Sequence, residues 1–109
     1  MANNKIEIEV ITDENHVPTE IMWSADDGNI RSRKAKAMAL AMWDDKDGAA
    51  MNMDIWTKDM SVEEMRHFIC QTMMTLADTF ERATSDKVHA EAIRGFTNEL
   101  ATRVGVLEK

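Results

Sequence analysis

One cysteine, one proline, four glycines and no long apolar run define this 109-residue chain first by what it lacks. Cys70 has no second thiol to pair with, so an intrachain disulfide is excluded and a reducing compartment fits. The longest apolar stretch, from Ala35 to Trp43 and uncharged after Lys36, is far short of the roughly 20 residues that a membrane span needs. No charged-then-apolar leader pattern opens the sequence, and a cytoplasmic protein without direct membrane insertion is expected. Basic charge is also scarce: 13 Lys and Arg face 20 Asp and Glu, for a net charge of −7. That balance argues against nucleic-acid binding, which relies on a basic surface to displace counterions. No internal repeat or low-complexity segment is visible, and the length predicts a single domain over 1–109.

What is present is methionine, ten residues of it. Methionine fills core gaps and also serves adaptable partner surfaces. Most of these side chains fall on periodic apolar positions, which favours the core.

The stretch from Met51 to Phe80 carries the clearest structural signal. Met51, Met53 and Ile55 alternate with Asn52, Asp54 and Trp56, as in a strand with one apolar face. Thr57-Lys58-Asp59 forms a corner. Ser61 and Glu64 then make an S-x-x-E capping box, with Met60 and Met65 placed as a hydrophobic staple. Met65, Phe68, Ile69, Met73, Leu76 and Phe80 follow at helical spacing. Thr84-Ser85-Asp86 ends that helix, and a last helix is predicted from Lys87 to Val104. Its inner stripe is read as Val88, Ala92, Phe96, Leu100 and Val104, with Gly95 as a close backbone contact.

Earlier in the chain, Ile6, Ile8 and Val10 alternate with Lys5, Glu7 and Glu9, and Ile21 and Trp23 alternate with Glu20 and Met22. The polar Asp13–His16 loop between them, with Pro18 at a strand entry, predicts a hairpin. Asp26-Asp27-Gly28 reads as a loop. Ala35, Met38, Ala41 and Met42 then suggest a helix from about Ile30 to Asp44, ended by Asp45-Lys46-Asp47-Gly48. The expected fold is α+β, with element order β-β-α-β-α-α. It holds a small antiparallel three-stranded sheet of order 2-1-3, the first strand central, with about three helices on one face.

Sites of chemistry are few. His67 and Cys70 share a helix, but two ligands do not make a zinc centre. Asp45-Lys46-Asp47-Gly48 echoes a calcium loop yet has Trp43 at the first ligand position and Asp54 where a bidentate Glu belongs. Asp44, Asp45, Asp54 and Asp59 are carboxylates in an acidic chain, without a sign of paired acid–base work. Arg31, Arg33, Lys34 and Lys36 form a basic cluster, either a contact for an acidic partner or charges neutralised by Asp26, Asp27 and the acidic strand face. No nucleophile–base pair, phosphate loop or ligand set is found. The chain is therefore expected to be non-enzymatic, with no cofactor and no metal. The best contact candidates are apolar residues on the acidic outer strand face, Ile11, Met22 and Trp56, with Lys58 and Asp59 at the corner. That face would also hold Glu7, Glu9, Glu20, Asn52 and Asp54, and it would suit a homo-oligomer contact. A different reading is a small-ligand domain or minor enzyme with a pocket lined by Trp23, Trp43 and Trp56.

Asp54-Ile55-Trp56-Thr57-Lys58-Asp59-Met60, Val62-Glu63-Glu64-Met65, Leu76-Ala77-Asp78-Thr79 and Ala83-Thr84 resemble the gliding-motility protein C (GldC) family of Bacteroidetes. Asp13–Pro18 with Ile21 and Trp23, and Ala41-Met42-Trp43-Asp44, resemble it in the same order. The resemblance implies a small accessory of surface gliding that acts with other gliding proteins and is not itself a motor. It brings no catalytic or ligand-binding residues with it.

Overall fold

The computed structural model describes residues 2–107. Five strands precede two helices: β1 Ile6–Thr12, β2 Pro18–Ala25, β3 Ile30–Ala35, β4 Ala37–Trp43, β5 Ala50–Trp56, α1 Val62–Thr84 and α2 Lys87–Arg103. They divide into two compact units, Met1–Met60 and Ser61–Lys109.

The first unit is built from antiparallel hairpins. β1 pairs with β2 in the expected parity, with Ile8 opposite Trp23 and Val10 opposite Ile21. Ile21 is almost fully buried and anchors the core of this unit. The loop between the strands is closed by the Asp13 carboxylate, whose Oδ1 accepts from the Asn15 and Val17 N–H groups. His16 takes a positive φ there.

From Ile30 onward the expected helix is replaced by β3 and β4. Asp26–Asn29 forms a hairpin turn in which Gly28 and Asn29 adopt positive φ (81° and 53°), a left-handed geometry open to Gly and tolerated by Asn. β3 returns along β2 as the third strand, so the sheet order is β1-β2-β3 and β2 is central, in place of the expected first strand. A bulge interrupts the pairing between Trp23 and Ala25, where Ser32 at φ 49° donates its N–H to Ser24 Oγ.

After the single residue Lys36 the chain enters a second, two-stranded sheet of β4 and β5. Its turn is the Asp45–Gly48 segment, held by Asp44 Oδ2 accepting from the Lys46 and Asp47 N–H groups. The expected third strand thus pairs with β4, through no crossover. Met38, Leu40 and Met42 lie opposite Ile55, Met53 and Met51 on one face of this ribbon. The expectation of a core location for these methionines fails at three of them, since Met42, Met51 and Met53 are 52–60% exposed.

The second unit is a helical hairpin, two helices where about three were expected. The predicted capping box is present at α1: Ser61 Oγ accepts from Glu64 N–H and Glu64 Oε1 accepts from Ser61 N–H, each at 3.0 Å. Ser85 closes α1 in a left-handed conformation, donating its N–H to the Glu81 carbonyl. Asp86 then caps α2, accepting from the His89 N–H and its ring Nδ1. Those two bonds hold the Asp86 carboxyl below its ordinary range.

Small side chains define the buried positions of the hairpin: Cys70 and Ala77 on α1, Ala90, Thr97 and Ala101 on α2. The expected large-residue stripes shift accordingly. Ile69, Leu76, Val88 and Phe96 are exposed, and the buried row of α2 runs Ala90, Thr97, Ala101 in place of Val88, Ala92, Phe96. Gly95 is exposed with open space around it, which corrects its reading as a close contact. Arg94 ties the helices together, donating to Asp78 and Glu81 of α1 and to Glu91 of its own helix at 2.7–2.9 Å. Three carboxylates around one guanidinium raise its affinity for the proton further, Asp78 contributing most.

Candidate contact surface

The corner after β5 is fixed by backbone bonds before any side chain acts. Thr57 N–H donates to the Lys36 carbonyl at 2.8 Å, Lys58 N–H to the Pro18 carbonyl at 3.1 Å, and Met60 N–H to the Thr57 carbonyl at 3.1 Å. These bonds join the base of the ribbon to the entry of β2. Thr57 is buried, and its hydroxyl has no hydrogen-bond partner among the described residues.

The side chains flanking Thr57 diverge in role. Lys58 reaches the Asp13 carboxylate at 2.6 Å. That ammonium, with the Val17 and Asn15 N–H groups, holds the Asp13 carboxyl below its usual range. Lys58 thus has a structural task that the sequence does not disclose. Asp59 lines an open hollow of about 280 Å³ with Thr19, Ile21, Ala35, Lys36 and Thr57, and the Glu20–Lys34 ion pair completes its lining. Trp56 stands at the foot of the ribbon opposite Ala37 and is 54% exposed, a large apolar surface.

Ile11 and Met22 lie on one face of the three-stranded sheet, Ile11 opposite Glu20 and Met22 between Glu9 and Lys34. Ile11 is exposed and Met22 half-buried. Trp56, Asn52 and Asp54 belong to the ribbon, so the expected single outer face is split between two sheets. The basic cluster lies on and beside β3, where no helix dipole opposes it. Arg31 lies 3.8 Å from Asp26 and Lys34 3.2 Å from Glu20, so two of its charges meet local carboxylates.

The tryptophan pocket does not form as expected. Trp43 and Trp56 occupy opposite ends of the seven-residue ladder, about 20 Å apart at strand spacing, and none of the three tryptophans lines the hollow beside Thr57. His67 pairs with Glu63, Cys70 is buried, and among the described residues no group of three His, Cys, Asp or Glu side chains is placed to hold a metal ion.

These features define a small α+β protein of sequential hairpins with a braced, partly apolar corner. A family model described as gliding motility-associated protein GldC-like matches residues 18–106, and the chain belongs to that family. The match takes in the corner and most of both units, and it begins just after the Asp13 loop. No curated protein and no solved structure matches the chain. No helix among the described residues is long and apolar enough to cross a membrane.

Proposed function

We propose that the chain is a non-enzymatic, cytoplasmic accessory of bacterial surface gliding that works through protein–protein contacts with other gliding components. Membership of the GldC-like family over residues 18–106 supports the process. The observation that carries the contact surface is Trp56, 54% exposed on a corner braced by the Lys58–Asp13 ion pair. A rigid, amphipathic indole held on fixed backbone is a favourable anchor for a partner, because little side-chain entropy is lost on binding. Asp59 beside it and Ile11 and Met22 on the neighbouring sheet are the further contact residues of this reading.

The test is affinity purification from a gliding bacterium with the natural chain and with Trp56→Ala. The expected result is a gliding component that co-purifies with the natural chain and is lost with the variant, whose melting temperature stays within a few degrees. An identical set of co-purifying proteins for both chains would remove Trp56 from the contact.

A further inference from the structure

The ribbon of β4 and β5 leaves the outer edge of β4 without a strand among the described residues. A two-stranded ribbon is marginal alone, and sheet edges are ordinarily blunted by charge, proline or bulges. β4, Ala37-Met38-Ala39-Leu40-Ala41-Met42-Trp43, has none of these. Its backbone orientation follows from the ladder ends. Thr57 N–H bonds the Lys36 carbonyl and Asp44 N–H bonds the Ala49 carbonyl. In an antiparallel ladder bonded and non-bonded positions alternate, so Lys36, Met38, Leu40, Met42 and Asp44 point their amides toward β5. Ala37, Ala39, Ala41 and Trp43 point theirs outward.

The same segment is self-complementary. Met38-Ala39-Leu40-Ala41-Met42 reads identically in both directions about Leu40. We propose that the open edge of β4 pairs antiparallel with β4 of a second copy, on a two-fold axis through Leu40. Ala39 then exchanges both hydrogen bonds with Ala41 of the second copy, and Ala37 does so with Trp43. Leu40 faces its own counterpart in a close, non-hydrogen-bonded pair, and Met38 faces Met42. On the even-numbered face every large residue meets a large one; on the other face alanine meets alanine at the centre and Trp43 meets the small Ala37 at each end. This is the isologous contact that a two-fold dimer requires.

Charge selects β4 over the other edge. β4 carries no ionisable side chain, so this contact adds no repulsion in a chain of net charge −7. β5 carries Asp54 in its outward-bonding row, and a two-fold pairing there would bring two carboxylates onto neighbouring rungs. The resulting four-stranded sheet joins Met38, Leu40, Met42, Met51, Met53 and Ile55 of both copies into one continuous apolar face. The inference does not rest on the Trp56 partner contact, although its end rung, Ala37 with Trp43 of the second copy, lies at the strand position opposite Trp56.

The experiment uses the full chain. Sedimentation from low to high micromolar concentration is expected to show conversion to twice the monomer mass. Ala41→Pro, which deletes an outward amide and keeps the β4–β5 ladder, is expected to abolish that conversion. In a Cys70→Ala background, Leu40→Cys is expected to form a disulfide-linked dimer on mild oxidation, whereas Met42→Cys alone is not, because Met42 faces Met38. A monomer at every concentration, a dimer that persists in folded Ala41→Pro, or equal crosslinking of the two cysteine variants would overturn the proposal.

Discussion

The Lys58 ammonium lies 2.6 Å from the Asp13 carboxylate, joining the corner after β5 to the loop after β1. Two segments 45 residues apart in sequence are thereby fixed to each other at the base of the ribbon. The Asp13 pKa is lowered in the fold, by the Lys58 side chain first and by the Val17 and Asn15 N–H groups after it. A carboxylate with a depressed folded pKa adds stability above its unfolded value of about 4, and loses it as pH falls through the lower folded value. Lys58→Met is expected to move the Asp13 titration upward, still below the ordinary range because both N–H donors remain. Carboxyl-carbon NMR titration measures it, and an unchanged midpoint would mean the ion pair is absent in solution.

Thr57 offers a test of burial without partnership. It is 2% exposed, and its hydroxyl has no hydrogen-bond partner among the described residues. An unsatisfied buried hydroxyl costs roughly 1–3 kcal/mol, and valine fills the same volume without one. Thr57→Val is expected to raise unfolding stability by about 1 kcal/mol in urea titrations. A loss of similar size would reveal that the hydroxyl is satisfied in solution.

Gly95 sits in the interior of α2, exposed, with nothing near the position a β-carbon would take. Alanine there removes backbone freedom from the unfolded chain and adds no clash. Gly95→Ala is expected to stabilise the helical hairpin by about 0.5–1 kcal/mol, read from the denaturation midpoint at unchanged slope. No gain would mean that α2 frays through this position.

The elements legible in the sequence are those in which local signals agree. At α1 the capping box, the helical spacing and the Thr84–Asp86 break all point to one helix, and the bonds at Ser61 and Glu64 match. The β1–β2 parity was equally readable, because Ile6, Ile8 and Val10 alternate with charged residues and must fall opposite the odd-numbered Ile21 and Trp23, although Ile6 and Ile8 remain exposed. Between Ile30 and Asp44 the signals conflict. Ala, Met, Leu and Lys are good helix formers, and their intrinsic preference masks the alternation of Met38, Leu40 and Met42 with Ala39 and Ala41. Two Gly-containing acidic turns flanked by alternating residues were the available clue to hairpins on both sides. For the contact candidates, exposure of Trp56 was legible from its place opposite the apolar row of β5. The Lys58–Asp13 pair was not, since a corner lysine carries no sign of which of 20 acids it meets.

Every major pairing of elements joins neighbours in the chain: β1 with β2, β2 with β3, β4 with β5, and α1 with α2. No strand waits for a distant segment to arrive, and each turn closes a short loop whose entropic cost is small. Topology of this kind places the chain among fast folders, because local contacts are rewarded as soon as each turn forms. A newly made chain can begin pairing β1 with β2 before β3 exists and β4 with β5 before either helix exists, each marginal hairpin being consolidated as the next element arrives.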